Sequence, residues 1–516
     1  MVTLQLKELT QCERDSDIIE ALDSLPQGLP ESLEAILDRI PPLYKSLVRQ
    51  ALAWILYCRA RLRLEHLALA SCIPTQLESE FTKSQRFREK HQLRRIFPTL
   101  IYVHPDTQFV ELFHYAVRQY LTNPTMSDGQ TSNKHYISPE EGNEIVMKSC
   151  FTYLRSSMFT QPLLSPLQIQ TRQREFKRKL SDRLVLYMIF GWTNHAKEIK
   201  RDEIVSPSVY NLLSSTRLAS WSELWELEKL RDYPWWQDTE EDIEQREWPD
   251  ELLCELGSSS PSRSAPGSAL YYAAHLGFGN VVRRLLQTES PNTFGGRLSS
   301  PLMAALVNKH LEIAKILLDS GANVDFKDKD GNTALLRAVD QNDCLGAELL
   351  LRYRADLTKR NGKGDTALHL AIRKMAVGMI SEELFGLLLQ KPDVTNHTGQ
   401  TPLHLATLCN SPRAVRKLLL SGANVNAIDT RGRSPLHEFA RIDSNPSLEV
   451  FETLLEAGAD TDLRDHMGYS ALHWAVGAGN RRLVERLWRG TLGISIDSDE
   501  EVCFLNVRAN LKEFTN

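Results

Sequence analysis

Four histidines, His369, His404, His437 and His473, each stand three residues after a threonine or serine in the C-terminal half of the chain. An imidazole at a fixed place beside a hydroxyl is a pairing that can hold a metal or move a proton. Neither chemistry has the company it needs. The acidic residues show no paired arrangement tied to a nucleophile, and there is no nucleophile elbow and no zinc motif. The eight cysteines, Cys12, Cys58, Cys72, Cys150, Cys254, Cys344, Cys409 and Cys503, are scattered singly, without a Cys-x-x-Cys pair or a metal-ligand spacing to histidine, which reads as free thiols in a reducing compartment. Gly362-Lys363-Gly364-Asp365-Thr366 imitates a phosphate loop, but it lacks the upstream glycine and the hydroxyl directly after the lysine. ATP binding or hydrolysis by that route is not expected. No enzyme activity, cofactor or metal is predicted.

The elements that must position these residues are stated once, most regularly, between Gln400 and Asp429. Thr401 and Pro402 read as an N-cap followed by a residue pre-set for the first helical turn. Leu403, Ala406 and Leu408 mark a short helix. Pro412 starts a second, with Val415, Leu418 and Leu419 at helical spacing, which stops at Gly422. The equivalents of Thr401 are Ser268, Ser300, Thr333, Thr366, Ser434 and Ser470, so successive starts lie 32, 33, 33, 35, 33 and 36 residues apart. A period of that length predicts a solenoid. Five residues past the start comes Ala273, Ala305, Ala338, Ala371, Ala406 and Ala475, with Phe439 the exception. Small residues there let helices approach, and leucine pairs such as Leu317 and Leu318 are placed to fill the space between repeats.

These residues resemble the ankyrin repeat, including the histidine of its Thr-Pro-Leu-His motif. The resemblance implies a mainly α fold, an ankyrin-repeat solenoid of about seven repeats. It also implies that the four histidines brace turns and do not catalyse. Ankyrin proteins bind other proteins through turn fingertips and inner helices, which places the fingertips here near 325–330, 358–363, 426–431 and 462–466. Lys327, Lys329, Lys359, Arg360, Lys363, Arg431 and Arg433 fall on or beside them, a basic row expected to meet an acidic segment of a protein partner. Two repeats depart from the pattern. From Thr366 to Val394 the fourth is four residues longer than its counterpart from Thr401 to Val425, and the sixth gains three residues near Ile442 to Ser447.

The N-terminal part reads as helices at 4–12, 17–25, 31–40 and 44–60, broken by Pro26, Pro30, Pro41 and Pro42. Leu47, Ala51, Ile55 and Cys58 share one face of the last. A short helix at 64–70, strands at 99–103 and 109–113 and a helix at 115–121 follow. Leu4-Gln5-Leu6 with Cys12, Asp17 to Leu22 before Leu25-Pro26, and Val110, Leu112, His114, Val117, Tyr120 and Leu121 resemble the helical and winged-helix region that follows NACHT in fungal NOD-like receptor proteins. Six of the nine tryptophans (Trp192, Trp221, Trp225, Trp235, Trp236, Trp248) then crowd a segment expected to form an aromatic helical core. The chain divides into a helical, winged-helix-like domain at 1–124, an aromatic-rich helical domain at 125–256, a Ser/Pro/Gly linker at 257–267, the repeats at 268–490 and a tail at 491–516.

A net charge of −5 on 66 acidic and 61 basic residues argues against nucleic acid or membrane as partner of the whole chain. Two basic stretches are local exceptions, Lys83 to Arg95 and Lys177-Arg178-Lys179. With no signal-peptide core and no spanning apolar run, the expected location is cytoplasm or nucleus. The function these features predict is a non-enzymatic interaction scaffold or adaptor, regulatory in signalling or transcription. The alternatives are an ATPase-less relative of a NACHT-ankyrin receptor and a DNA-contacting winged-helix regulator.

Overall fold

The computed structural model describes residues 29–76, 93, 96, 100–125, 133–155, 183–215, 267–442 and 447–492. The helices expected at 4–12 and 17–25, the basic stretch 83–95 apart from residue 93, Lys177 to Lys179, five of the six clustered tryptophans and nearly all of the linker and tail lie outside the described residues. The chain forms two compact units, Met1–Ala269 and Leu270–Asn516.

In the first unit the helices are α1 (Leu29–Asp38), α2 (Pro42–Tyr57) and α3 (Leu64–Cys72). The strands β1 (Ile101–Val103) and β2 (Val110–Leu112) follow, then α4 (Tyr115–Thr122), α5 (Pro139–Leu154), α6 (Arg183–Phe190), α7 (Trp192–Glu198) and α8 (Asp202–Leu213). Pro42 opens α2, where its missing N–H costs nothing. Helix α2 packs on α3 and on α5, and this corrects its expected single apolar face. Of Leu47, Ala51, Ile55 and Cys58 only Ala51 is buried, while Val48, Leu52, Ala53, Trp54 and Leu56 are buried as well, because two neighbours cover two sides. Gly142 of α5 lies under the Tyr57 ring, where a Cβ would stand 2.1 Å from Cδ2. Arg49 clamps the same junction, donating to both carboxylate oxygens of Glu141 at 2.6 and 2.7 Å. The expected hairpin forms: β1 and β2 pair antiparallel, Ile101 opposite Leu112 and Val103 opposite Val110. Trp192, fully buried, meets Phe151 at a ring separation of 4.9 Å.

The second unit is seven helix pairs in succession: α9/α10 (Ala269–Leu276, Gly279–Leu285), α11/α12 (Pro301–Val307, Leu311–Asp319), α13/α14 (Ala334–Asp340, Cys344–Arg352), α15/α16 (Ala367–Ala376, Glu382–Leu388), α17/α18 (Pro402–Leu408, Pro412–Leu420), α19/α20 (Pro435–Ala440, Leu448–Glu456) and α21/α22 (Ala471–Gly477, Arg481–Leu492). Inner helices pack on the next inner helix and outer on outer. The six alanines at the fifth position are at most 3% exposed. Phe439, which replaces the seventh, is also fully buried and lies nearly parallel to Phe451 at 6.3 Å. The leucine pairs are less symmetrical than expected. Leu317 and Leu318 are both buried, but in pairs such as Leu418 and Leu419 one residue fills the core and the other is half-buried. Burying each core leucine stabilises by roughly 1.5–3 kcal/mol. In the fourth repeat the extra residues lengthen the inner helix by most of a turn and raise a loop with Val377 and Met379 exposed.

Candidate partner-binding surface

Five turns of one design precede the inner helices of the third to seventh pairs: 328–333, 361–366, 396–401, 429–434 and 465–470. Each opens on a buried Asp or Asn (Asp328, Asn361, Asn396, Asp429, Asp465). Its Oδ1 accepts the backbone N–H groups two and four residues on, at 2.8–3.0 Å. Such side-chain bonds replace a backbone ladder in a tight turn. The fourth residue of each is glycine in the left-handed region, and at Gly331 no side chain would fit in any case: a Cβ there would stand 2.8 Å from the backbone nitrogen of Gly362. That approach is a contact between neighbouring tips. Gly362 N–H donates to Asp330 O at 2.9 Å, Thr430 N–H to Thr398 O at 3.1 Å and His466 N–H to Arg431 O at 2.9 Å. The imitation phosphate loop is therefore one of these turns.

The hydroxyls of Thr333, Thr401, Ser434 and Ser470 cap their inner helices, and in the last three a histidine completes the joint. The backbone N–H groups of Thr401, Ser434 and Ser470 donate to Nδ1 of His404, His437 and His473 at 3.0, 3.1 and 3.2 Å. Because Nδ1 accepts there, the ring proton sits on Nε2, which donates onward to the residue before the next cap. His369 reaches Gln400 O at 3.0 Å, His404 Arg433 O at 2.9 Å and His437 Tyr469 O at 3.1 Å. Burial lowers the pKa of all four imidazoles, that of His369 to about 4. His369, His404 and His437 are neutral staples between repeats, and His473 braces only its own turn.

The structure sorts the predicted basic row. Lys327, Lys329, Lys363 and Arg431 are exposed; Lys359 and Arg360 are half-buried. Lys327 donates to Arg360 O at 2.8 Å, and the Arg360 guanidinium spans to Thr395, bonding its carbonyl at 2.7 Å and its hydroxyl at 3.0 Å. Lys359 faces Asp356 at 3.5 Å. Lys363 and Arg431 have no side-chain partner among the described residues. Arg433 is 6% exposed and held between Asp429, at 2.7 Å, and Glu438, at 2.9 Å, so its charge does not reach the surface. Burial alone would raise the Asp429 pKa, but hydrogen bonds from the Arg433 side chain and from the Arg433 and Arg431 backbones outweigh it and hold the carboxyl below its ordinary range. Lys327 to Lys363 share two bonded tips. Arg431 stands beyond the tip at 396–401, which the sequence reading passed over. That tip and the last one place His397 and His466 on the exposed edge; His466 ends the range 462–466 expected from the sequence, and counting one residue past Asn396 would have found His397. Arg441 Cζ lies 5.8 Å over the Trp474 ring, whose Nε1–H donates to Asp465 at 2.9 Å.

Among the described residues no group of three His, Cys, Asp or Glu side chains could hold a metal ion, and no helix is long and apolar enough to cross a membrane.

Comparison with known proteins places the array. Residues 250–500 match, in six overlapping windows from 250–328 to 410–500, the family model described as ankyrin repeats (3 copies). Inversin of the dog, Canis lupus familiaris, aligns over 234 residues at 29% identity, 44% of this chain and 21% of that one. The B-cell lymphoma 3 protein homolog of Mus musculus aligns over 143 residues at 32% identity, 27% of this chain and 31% of that protein. The chain thus spans about a fifth of the length of the Inversins it matches. The crystal structure of the ankyrin repeat domain of Bcl-3 aligns over 44% of this chain and 100% of that chain, at 28% identity and a TM-score of 0.39. The seven helix pairs are an ankyrin-repeat solenoid.

Proposed function

We propose that this chain is a non-enzymatic regulatory scaffold of the cytoplasm or nucleus, acting in signalling or transcription, whose repeat array captures a protein partner bearing an acidic segment. The carrying observation is the exposed fingertip edge, where Lys327, Lys329 and Lys363 lie on two hydrogen-bonded tips and Arg431 follows. Cations fixed on a rigid edge steer an acidic partner and set its register more than they add raw affinity. The ankyrin-repeat relatives support a protein-binding role. Lys363→Glu with Arg431→Glu tests it, because neither side chain bonds to another among the described residues whereas Arg360 ties one repeat to the next. Proximity labelling in the native cell identifies partners, and their binding to the purified full chain is then measured at low and high salt. Tenfold or greater weakening by the double reversal, fading as salt rises, is expected; unchanged binding at low salt would refute the reading.

A second reading belongs to the first unit. The hairpin β1–β2 following α3, extended by a bridge between Arg63 and Phe109, supports a winged-helix-like arrangement related to the segment after NACHT in fungal NOD-like receptor proteins. A phosphate loop encoded in frame upstream of Met1 would favour that relation, and a salt-sensitive gel shift of the full chain would favour DNA contact.

A further inference from the structure

The first unit has a solvent-open cavity of about 360 Å³ between the end of α2, the turn into α3, strand β2 and the first turn of α4. That volume suits a small organic molecule. Three guanidinium-bearing residues, Arg59, Arg61 and Arg118, line it against a single carboxylate, Glu111. Arg59 is paired with Glu198 at 3.0 Å, but both groups are more than half exposed, so the pair is weak and exchangeable. Arg118 donates to Leu56 O at 3.0 Å. Neither Arg61 nor Arg118 has a carboxylate partner among the described residues.

We infer that this cavity binds a small organic phosphate monoester, its phosphoryl dianion held by Arg61, Arg118 and Arg59 and its apolar body set against Ile55, Leu62 and the Tyr115 ring. Arginine forks match phosphate oxygens two at a time, and a dianion asks for more than the one cation that would satisfy a carboxylate. A half-open cavity of this volume holds one small molecule; a polyanion would need a stripe of basic side chains. The site binds without chemistry. Cys58 is the nucleophile type in the wall, and burial pushes its thiol up to about 12, so it stays protonated at neutral pH.

Isothermal titration of the full chain with phenyl phosphate, inorganic phosphate and phenol tests the inference. Phenyl phosphate should bind saturably, one per chain, and about tenfold or more tighter than either half alone. Arg61→Gln should weaken it about tenfold. Since the Arg61 side chain has no partner among the described residues to lose, circular dichroism should show that variant folded. Arg118→Gln should weaken binding as well, though it also gives up the Leu56 bond. The inference is overturned if phenyl phosphate shows no saturable binding at millimolar concentration, if inorganic phosphate binds as tightly, or if folded Arg61→Gln binds as well as the parent.

Discussion

Replacing Arg433 with methionine should destabilise the array more than removing any exposed cation of the basic row. Its guanidinium donates to Asp429 through Nε at 3.1 Å and Nη2 at 2.7 Å and pairs with Glu438 at 2.9 Å, and both carboxylate side chains are fully buried. Glu438 also accepts from Gln400 at 3.2 Å and Arg441 at 2.6 Å, which ties the fifth and sixth repeats together. Methionine fills the aliphatic volume but leaves two buried anions without their shared cation. Breaking a buried pair in this way costs about 3–5 kcal/mol. Because Asp429 keeps two backbone N–H donors and Glu438 keeps Gln400 and Arg441, the low end, about 3 kcal/mol, applies. With a urea slope of about 3 kcal/mol/M for a unit of this size, the midpoint should fall by about 1 M. Urea titration of the full chain followed by circular dichroism measures it. The sign with pH is a second check. In the parent, Asp429 has a depressed pKa, so its contribution is present above the unfolded value of 3.8 and is lost as pH falls through the folded one. In the variant Asp429 loses the cation, protonates at higher pH and becomes cheaper to bury, so the gap between variant and parent should narrow on acidification. A midpoint shift under about 0.3 M, or a gap that widens toward acid, would refute the network.

His369 has its pKa lowered from 6.5 to about 4. Its neutral form therefore contributes about 3 kcal/mol that is complete above the unfolded value and is lost as pH falls from about 6.5 toward 4. The urea midpoints of parent and His369→Ala should converge between about pH 7.5 and pH 4.5; a constant difference would show that the ring titrates freely. Arg354 sits at φ 62 where three of the other outer helices end on Gly321, Gly422 and Gly458 at φ 84 to 86. Arg354→Gly relieves that strain and should raise stability by about 0.5–1 kcal/mol after the glycine entropy cost, read as a higher melting temperature; a lower one would show that the Arg354 side chain contributes more than its backbone strain costs.

The repeat was legible because it is written in residue types that have one physical use each: a hydroxyl cap, a small residue where helices touch, a glycine where φ must be positive. Periodicity of such residues needs no tertiary information, so the seven pairs and their starts follow from the sequence. Helix α2 resisted because its burial is decided by what covers it. An apolar stripe at helical spacing predicts one partner, whereas α3 and α5 supply two, and nothing local to residues 42–57 announces the second. The cavity of the first unit was illegible for the same reason. Arg59 and Arg61 are adjacent in sequence to nothing that suggests a pocket, and Arg118 joins them only once β2 has turned the chain back.

The basic row shows how such a register could have carried more information. Arg431 and Arg433 are two residues apart around one glycine, yet one is exposed and the other buried. In all five tips the residue before the glycine, Asp330, Lys363, Thr398, Arg431 and Met467, is exposed. The residue after it, Asn332, Asp365, Gln400, Arg433 and Tyr469, is half or fully buried. The cause is the turn itself. The N–H after the glycine bonds back to the opening Asp or Asn, which draws that residue inward toward the inner helix, while the residue before the glycine stands at the outer bend. Charges after the glycine therefore belong to the joint between repeats and are read as stability. Charges before it, with those one position earlier such as Lys329, are exposed to solvent. The edge so defined is mixed, basic at Lys329, Lys363 and Arg431, acidic at Asp330, with His397 and His466 between and Met467 at its end. A partner matched to it would carry acidic groups spaced in register with the basic tips, whereas a uniformly acidic tail would also set a carboxylate against the exposed Asp330.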